Sequence, residues 1–230
     1  MSKVLPSQQF ALVVASRTSV KPVRRSIAAS VGKRLVDVVL AGSALMMIWP
    51  LMLAIALAIR VSDGGPALFA QRRVGRHGRP FTCLKFRTMV LNAEQALQDH
   101  LASDPQARRE WEANQKLDAD PRITGLGVFL RKSSLDELPQ LFNILLGQMS
   151  VVGPRPIVPA EIDRYGDSFP ACFSVRPGLT GLWQVSGRSD CNYQTRVTLD
   201  YRYAVTWNFL SDIEIIARTI PAVLSQRGSR

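Results

Sequence analysis

At 230 residues the chain has room for one good-sized domain and an appendage, and a hydrophobic content of 47% supplies a core. The net charge of +11 is uneven: residues 1–90 hold 14 Lys/Arg against 2 acidic residues, and residues 91–230 hold 15 against 16. Three scattered cysteines without a CxxC pair (Cys83, Cys172, Cys191) and two histidines (His77, His100) argue against a disulfide framework, a zinc site and histidine-based catalysis, and fit a reducing cytoplasm.

Residues 1–32 are basic, polar and aperiodic, which predicts a mostly disordered cytoplasmic tail. From Val38 to Ile59 the chain carries no formal charge, as a membrane helix would. Trp49-Pro50 lies in its middle, where proline removes a backbone donor, and both flanks are basic. A spanning helix usually shows a Lys/Arg excess on one side only. Residues 33–62 are therefore read as a helix that enters one leaflet, breaks at Pro50 and returns, with an ordinary kinked span as the alternative. Asp37 needs the interface or a cation such as Lys33 or Arg34. Cations beside an apolar segment point to anionic lipid, and no nucleic-acid-binding motif is present.

Residues 63–230 read as a cytosolic domain. Asp63-Gly64-Gly65-Pro66 is a turn, Ala67 to Ala70 a short strand and Phe81 to Met89 a second one. In that strand Lys85 and Arg87 would share a face, suited to a diphosphate or simply to solvent. Residues 91–117 favour two helices divided at Asp104-Pro105. In residues 133–145, Leu135, Leu138, Leu141, Phe142 and Leu145 fall on one helical face. Ser134-x-x-Glu137 has the form of a capping box, and Pro139 shifts the cap toward Asp136. Either way Asp136-Glu137 is expected at a helix N-terminus, which suits a carboxylate and attracts phosphate. Two prolines bracket Arg155 and restrict its backbone, as a bidentate phosphate grip would need or as a rigid turn would show. The stretch from Arg176 to Arg188, which includes Gln184, again combines glycines with arginines, and no P-loop supports an ATPase. Phe209 to Leu224 has helical spacing and is either core or membrane-facing.

These motifs together resemble the bacterial sugar transferases, the monotopic polyprenyl-phosphate hexose-1-phosphate transferases, and most of all those that start succinoglycan-type exopolysaccharides. The resemblance runs from Lys33 onward through KRLVD (33–37), QRRVG (71–75), KFRTM (85–89), the stretch 130–156 and RPGLTGLWQVSGR (176–188). Trp49 stands where the family often has Ser before the proline. The resemblance implies an α/β, mostly α fold: a re-entrant membrane hairpin and a small cytosolic domain with amphipathic surface helices. It implies transfer of hexose 1-phosphate (galactose or glucose) from a UDP-hexose to undecaprenyl phosphate with release of UMP, at the cytoplasmic face of the inner membrane. Magnesium is the implied cofactor. Asp136 is the implied nucleophile and a metal ligand, and Glu137 assists. Lys85, Arg87, Arg131, Arg155, Arg176, Gln184 and Arg188 are the candidate substrate-binding shell. A homo-oligomer and downstream glycosyltransferases are compatible partners. A membrane-tethered nucleotide-binding adaptor without turnover is the alternative; the intact Asp136-Glu137 pair favours the enzyme.

Overall fold

The computed structural model describes residues 27–114, 117–187 and 192–224. It is mostly helical, with two small two-stranded sheets. Helix α1, Ile27–Asp63, spans 37 residues, about 55 Å at 1.5 Å per residue. It is long and apolar enough to cross a membrane. Residues 27–32, expected in the tail, belong to this helix; the rest of the expected tail lies outside the described residues.

The re-entrant hairpin is not seen: α1 runs on through Pro50 without interruption. Pro50 deprives only the Met46 carbonyl of its intrahelical donor, and both residues lie on the exposed face. The other face packs. Asp37, Ala41, Met52, Ile55 and Ile59 are buried, with Leu45 and Ile48 between them, a spacing of three and four residues that makes one stripe. This stripe meets Phe81, Leu141, Ile144 and Met149 in its first half and Phe86, Leu130, Leu135 and Leu138 in its second.

Both ends of α1 are fastened to the same body. Lys33 Nζ lies 2.6 Å from Asp212 Oδ2, and Arg34 donates to the carbonyls of Ile144 and Leu145 at 2.5 and 2.8 Å. Asp63, at the other end, pairs with Arg87. With Lys33 and Arg34 engaged elsewhere, Asp37 takes other partners than those cations. Its Oδ1 accepts from the Ser150 hydroxyl and the Val151 N–H, each at 2.9 Å.

Strands β1 (Leu68–Val74) and β2 (Pro80–Phe86) form an antiparallel hairpin with Gln71 opposite Cys83 and Arg73 opposite Phe81. His77 and Gly78, at φ 57° and 73°, turn the chain between them. The first strand is longer than expected and the second shorter, so Arg87 lies beyond β2 and does not share a strand face with Lys85. Helices α2 (Ala93–Ser103) and α3 (Pro105–Asn114) divide where expected, because the Asp104 carboxylate accepts from the N–H groups of Gln106 and Ala107 at 2.8 and 3.2 Å. Helix α4 (Gly125–Lys132) is capped by Thr124. After α5 (Gln140–Leu145), β3 (Ser150–Val152) pairs in parallel with β4 (Gly178–Thr180). Short helices α6 (Ile162–Tyr165) and α7 (Phe169–Cys172) lie in the crossover, and α8 (Leu182–Val185) follows β4. Phe169 and Phe173 fill the core beneath the crossover, against Val74 and Val197.

Helices α9 (Tyr193–Thr206) and α10 (Phe209–Leu224) close the fold. Asp212 joins them to α1: its carboxylate accepts from Lys33, from Trp207 Nε1 at 2.8 Å and from the Tyr203 hydroxyl at 2.8 Å. Helix α10 is in part a core helix. Ile215 is buried against Val152 and Tyr203, while Leu210, Ile213 and Ile220 are exposed.

Asp37→Ala orphans the Ser150 hydroxyl and the Val151 N–H at a buried joint, so it is expected to cost about 2 kcal/mol. Chemical unfolding in detergent micelles measures this, and Asp37→Asn, which keeps one acceptor, is expected to cost less.

Candidate active site

Pro139 determines the local structure around Asp136-Glu137. Lacking an N–H, it cannot serve the Leu135 carbonyl in an α-helical pattern. The chain uses tighter bonds instead, with Glu137 N–H to Ser134 O at 3.3 Å and Leu138 N–H to Leu135 O at 3.2 Å. Leu135–Glu137 is thus one 3₁₀ turn, and α5 begins only at Gln140. The expected capping box does not form. Ser134, in the left-handed region at φ 57°, makes no cap bond, and Asp136 is not the cap of α5. Leu135 and Leu138 pack toward α1, which leaves the two carboxylates facing the hairpin.

Glu137 Oε1 lies 2.6 Å from Lys85 Nζ, and Asp136 Oδ2 lies 3.6 Å from the same ammonium. One cation thus serves two carboxylates of unequal claim. Burial raises the pKa of Asp136, with Lys85 opposing and the Glu137 charge reinforcing the shift. Burial acts on Glu137 too, but Lys85, Arg155 and Arg73 outweigh it and hold Glu137 below the usual range. Neighbouring carboxylates pushed in opposite directions are a common sign of divided catalytic labour.

Beside this pair lies a cleft of about 260 Å³, open to solvent. Its walls come from β1 (Arg73), β2 (Cys83, Lys85), the turn and α5 (Glu137, Gln140), the loop after β3 (Arg155, Pro156), β4 and α8 (Gln184). The Arg155 loop is held from both sides. The buried Asp200 carboxylate accepts the Tyr165 hydroxyl at 2.7 Å and lies near enough to the Arg155 backbone N–H to be stabilised by it. Its pKa is raised to about 6 by burial, against the opposing effects of Tyr165, Arg196 and Arg155. On the other side Arg73 donates to the Pro156 carbonyl at 3.2 Å. The Arg155 guanidinium lies 5.4 Å from the centroid of Trp183, whose ring also has Arg196 at 5.1 Å. Glycine is needed at Gly153 and Gly178, where an added Cβ would collide with the backbone of the other segment. That close approach brings the Arg155 loop against β4.

The expected shell therefore divides. Lys85, Arg155 and Gln184 line the cleft with Glu137. Arg131 donates to Thr88 Oγ1 at 2.9 Å and is near enough to Asp136 to feel its charge. Arg87 belongs to Asp63. Arg176 binds the Gly147 carbonyl at 2.8 Å, in the neighbourhood of Arg34 and Arg76, and is no part of the cleft. Arg188 lies outside the described residues. Trp49 and Pro50 are on the exposed face of α1. Arg73 and Gln140 line the cleft without having been singled out from sequence. The hairpin register carries the signal for Arg73, since Gln71, Arg73, Cys83 and Lys85 follow the two-residue period on paired strands.

Magnesium takes one or two carboxylates and completes its shell with phosphate oxygens and water. Among the described residues no three acidic, His or Cys side chains converge, so there is no all-protein cage. Asp136, held only at 3.6 Å by Lys85, has coordinating capacity to spare and fits an ion shared with a bound diphosphate.

The class of protein follows from comparison with known chains. Residues 28–226 match the model of the bacterial sugar transferase family, and the chain belongs to that family. It is 48% identical over 199 residues to "Exopolysaccharide production protein ExoY" of Sinorhizobium fredii, an overlap covering 86% of this chain and 88% of that one. It is 50% identical over 197 residues to "Undecaprenyl-phosphate galactose phosphotransferase" of Salmonella typhimurium, covering 86% of this chain and 41% of the relative. With "UDP-glucose:undecaprenyl-phosphate glucose-1-phosphate transferase" of Caulobacter vibrioides it shares 40% identity over 211 residues, 86% of this chain and 72% of the other. The chain thus spans about two-fifths of the Salmonella relative and most of the Sinorhizobium one.

Lys85→Met is expected to raise the pKa of both carboxylates, Glu137 more than Asp136. Carboxyl carbon NMR titration of the wild type and the variant measures both.

Proposed function

We propose that the chain transfers hexose 1-phosphate from a UDP-hexose to undecaprenyl phosphate at the cytoplasmic face of the cell membrane, as the first step of exopolysaccharide repeat-unit assembly. The observation that carries this reading is the sharing of Lys85 by Asp136 and Glu137 beside a cleft walled by Arg73 and Arg155. The names of the relatives supply the substrates.

In the first step an Asp136 oxygen attacks the phosphorus that bears the sugar. The bond from that phosphorus to the bridging oxygen breaks, and UMP leaves with the electron pair. The phosphate of undecaprenyl phosphate then attacks the same phosphorus, forms the lipid-linked diphosphate sugar and releases the Asp136 carboxylate. Two easier displacements replace one difficult one. Burial suits Asp136 to attack, because a poorly stabilised anion gains more on bonding phosphorus. Glu137, kept ionised by Lys85, holds that ammonium between the carboxylates and the incoming diphosphate. Arg155, on a loop fastened by Asp200 and Arg73, grips phosphate oxygens with little reorganisation. Magnesium held by Asp136 and the diphosphate would lower the charge that an attacking carboxylate meets.

The exposed face of α1 is mainly apolar between Val38 and Ala58 (Val39, Met46, Met47, Trp49, Leu53, Leu57), with Ser43 the polar exception, and Phe129, Phe142, Leu146, Leu210 and Ile220 expose further apolar surface. We read these as the parts that enter the lipid. Attachment of both ends of α1 to one body supports a helix whose termini stay on the same side of the membrane. The basic N-terminal third adds attraction to anionic lipid.

Purified protein with UDP-hexose, Mg²⁺ and undecaprenyl phosphate is expected to release UMP. Asp136→Asn is expected to lower that rate on the order of 10³-fold or more, as loss of a nucleophile does. Near-wild-type turnover by this variant would remove the assigned nucleophile. For topology, Ala29→Cys and Ser62→Cys, each exposed at one end of α1 and made in a background lacking Cys191, are expected to be labelled from the cytoplasmic side. Labelling from opposite faces would establish a full span.

A further inference from the structure

Gln140 and Gln184 present buried amide atoms without partners on the walls of one cleft. Gln140 is 2% exposed, and its Nε2 meets no acceptor among the described residues. Gln184 Oε1 is buried and meets no donor among the described residues, while its Nε2 reaches the Leu179 carbonyl only at 3.5 Å. Buried polar atoms are nearly always paired, so two orphans lining the same cleft need an explanation. The terminal torsion of a glutamine is soft, and a small turn presents either amide to a ligand.

The two orphans differ in kind. One is a donor and the other an acceptor, so their complement must both accept and donate. A phosphate oxygen at neutral pH accepts only, and the cations Arg73, Lys85 and Arg155 already serve it. A hydroxyl does both. Glu137 and Lys85 mark the reacting end, and the group joined to the attacked phosphorus is the hexose. We infer that Gln140 and Gln184 are positioning and specificity residues that hold hydroxyl groups of the transferred sugar. The inference rests on the function proposed above and adds to it which wall of the cleft reads the sugar.

The test measures binding in the Asp136→Asn background, so it does not depend on turnover. Tryptophan fluorescence gives Kd for UDP-galactose, UDP-glucose and UMP, with and without Gln140→Met or Gln184→Met. Each second change is expected to weaken one or both UDP-hexoses about tenfold to a hundredfold while UMP binding stays as it was. Because the two orphaned atoms have no partner among the described residues and the Gln184 Nε2 contact to Leu179 is long, Tm is expected to stay within about 2 °C. A deoxy analogue lacking the contacted hydroxyl should bind the Met variant and its parent equally. Unchanged UDP-hexose binding overturns the inference. So does an equal loss for UMP, which would assign the amides to the nucleotide, and so does a fall in Tm that accompanies weaker binding. If the wild type binds UDP-hexose in this sugar-dependent way but never releases UMP, the proposed reaction fails while the sugar-reading wall stands.

Discussion

Lys85 is the cation that two adjacent carboxylates must share, and the site is arranged around that shortage. At 2.6 Å it satisfies Glu137 and at 3.6 Å it only moderates Asp136. Glu137 is therefore kept ionised as a fixed partner, and Asp136 is left buried and under-stabilised beside it. A second close cation would quiet Asp136, and removal of Lys85 would push both groups toward their neutral forms. The arrangement depends on a 3₁₀ turn in place of an α-helical start, which traces to the missing N–H of Pro139.

The same turn links the site to α1. Leu135 and Leu138, on either side of the carboxylates, pack in one cluster with Met52, Ile55 and Ile59. Lys33, Arg34 and Asp37 fasten the front of that helix to Asp212, α5 and β3, and Asp63 fastens its end through Arg87. The apolar helix is thus a structural wall of the domain. Its depth in a lipid surface would set the height at which Asp136 meets an acceptor whose phosphate lies at the headgroups. This coupling accounts for an aspartate at position 37 of an apolar helix, since its Oδ1 faces protein donors.

Local chemistry was legible in the sequence where the cause was itself local. Asp104-Pro105 separates two helices because an aspartate caps the helix that a proline opens. The amphipathic α10 follows directly from its spacing, and the constrained Arg155 proved to be a cleft residue. Misreadings arose where a distant partner decides the matter. Ser134-x-x-Glu137 has the pattern of a capping box, yet Glu137 is claimed by a lysine 52 residues away. Arg87 shares the alternation of Lys85 but is taken by Asp63 once β2 ends at Phe86. Arg73 required the hairpin register, and Gln140 required knowledge that its Nε2 lacks a partner among the described residues. Proline at position 50 predicted a break, and α1 runs through it as one helix packed on its opposite face.

The central claim is that Asp136 bonds to phosphorus. Intact-protein mass spectrometry after mixing the enzyme with UDP-hexose and Mg²⁺, with no lipid acceptor, tests it directly. One covalently bound hexose phosphate per chain is expected, located on the peptide that contains Asp136 and discharged when undecaprenyl phosphate is added. A label on another residue, or UMP formed only with acceptor present and with no protein adduct, would contradict it.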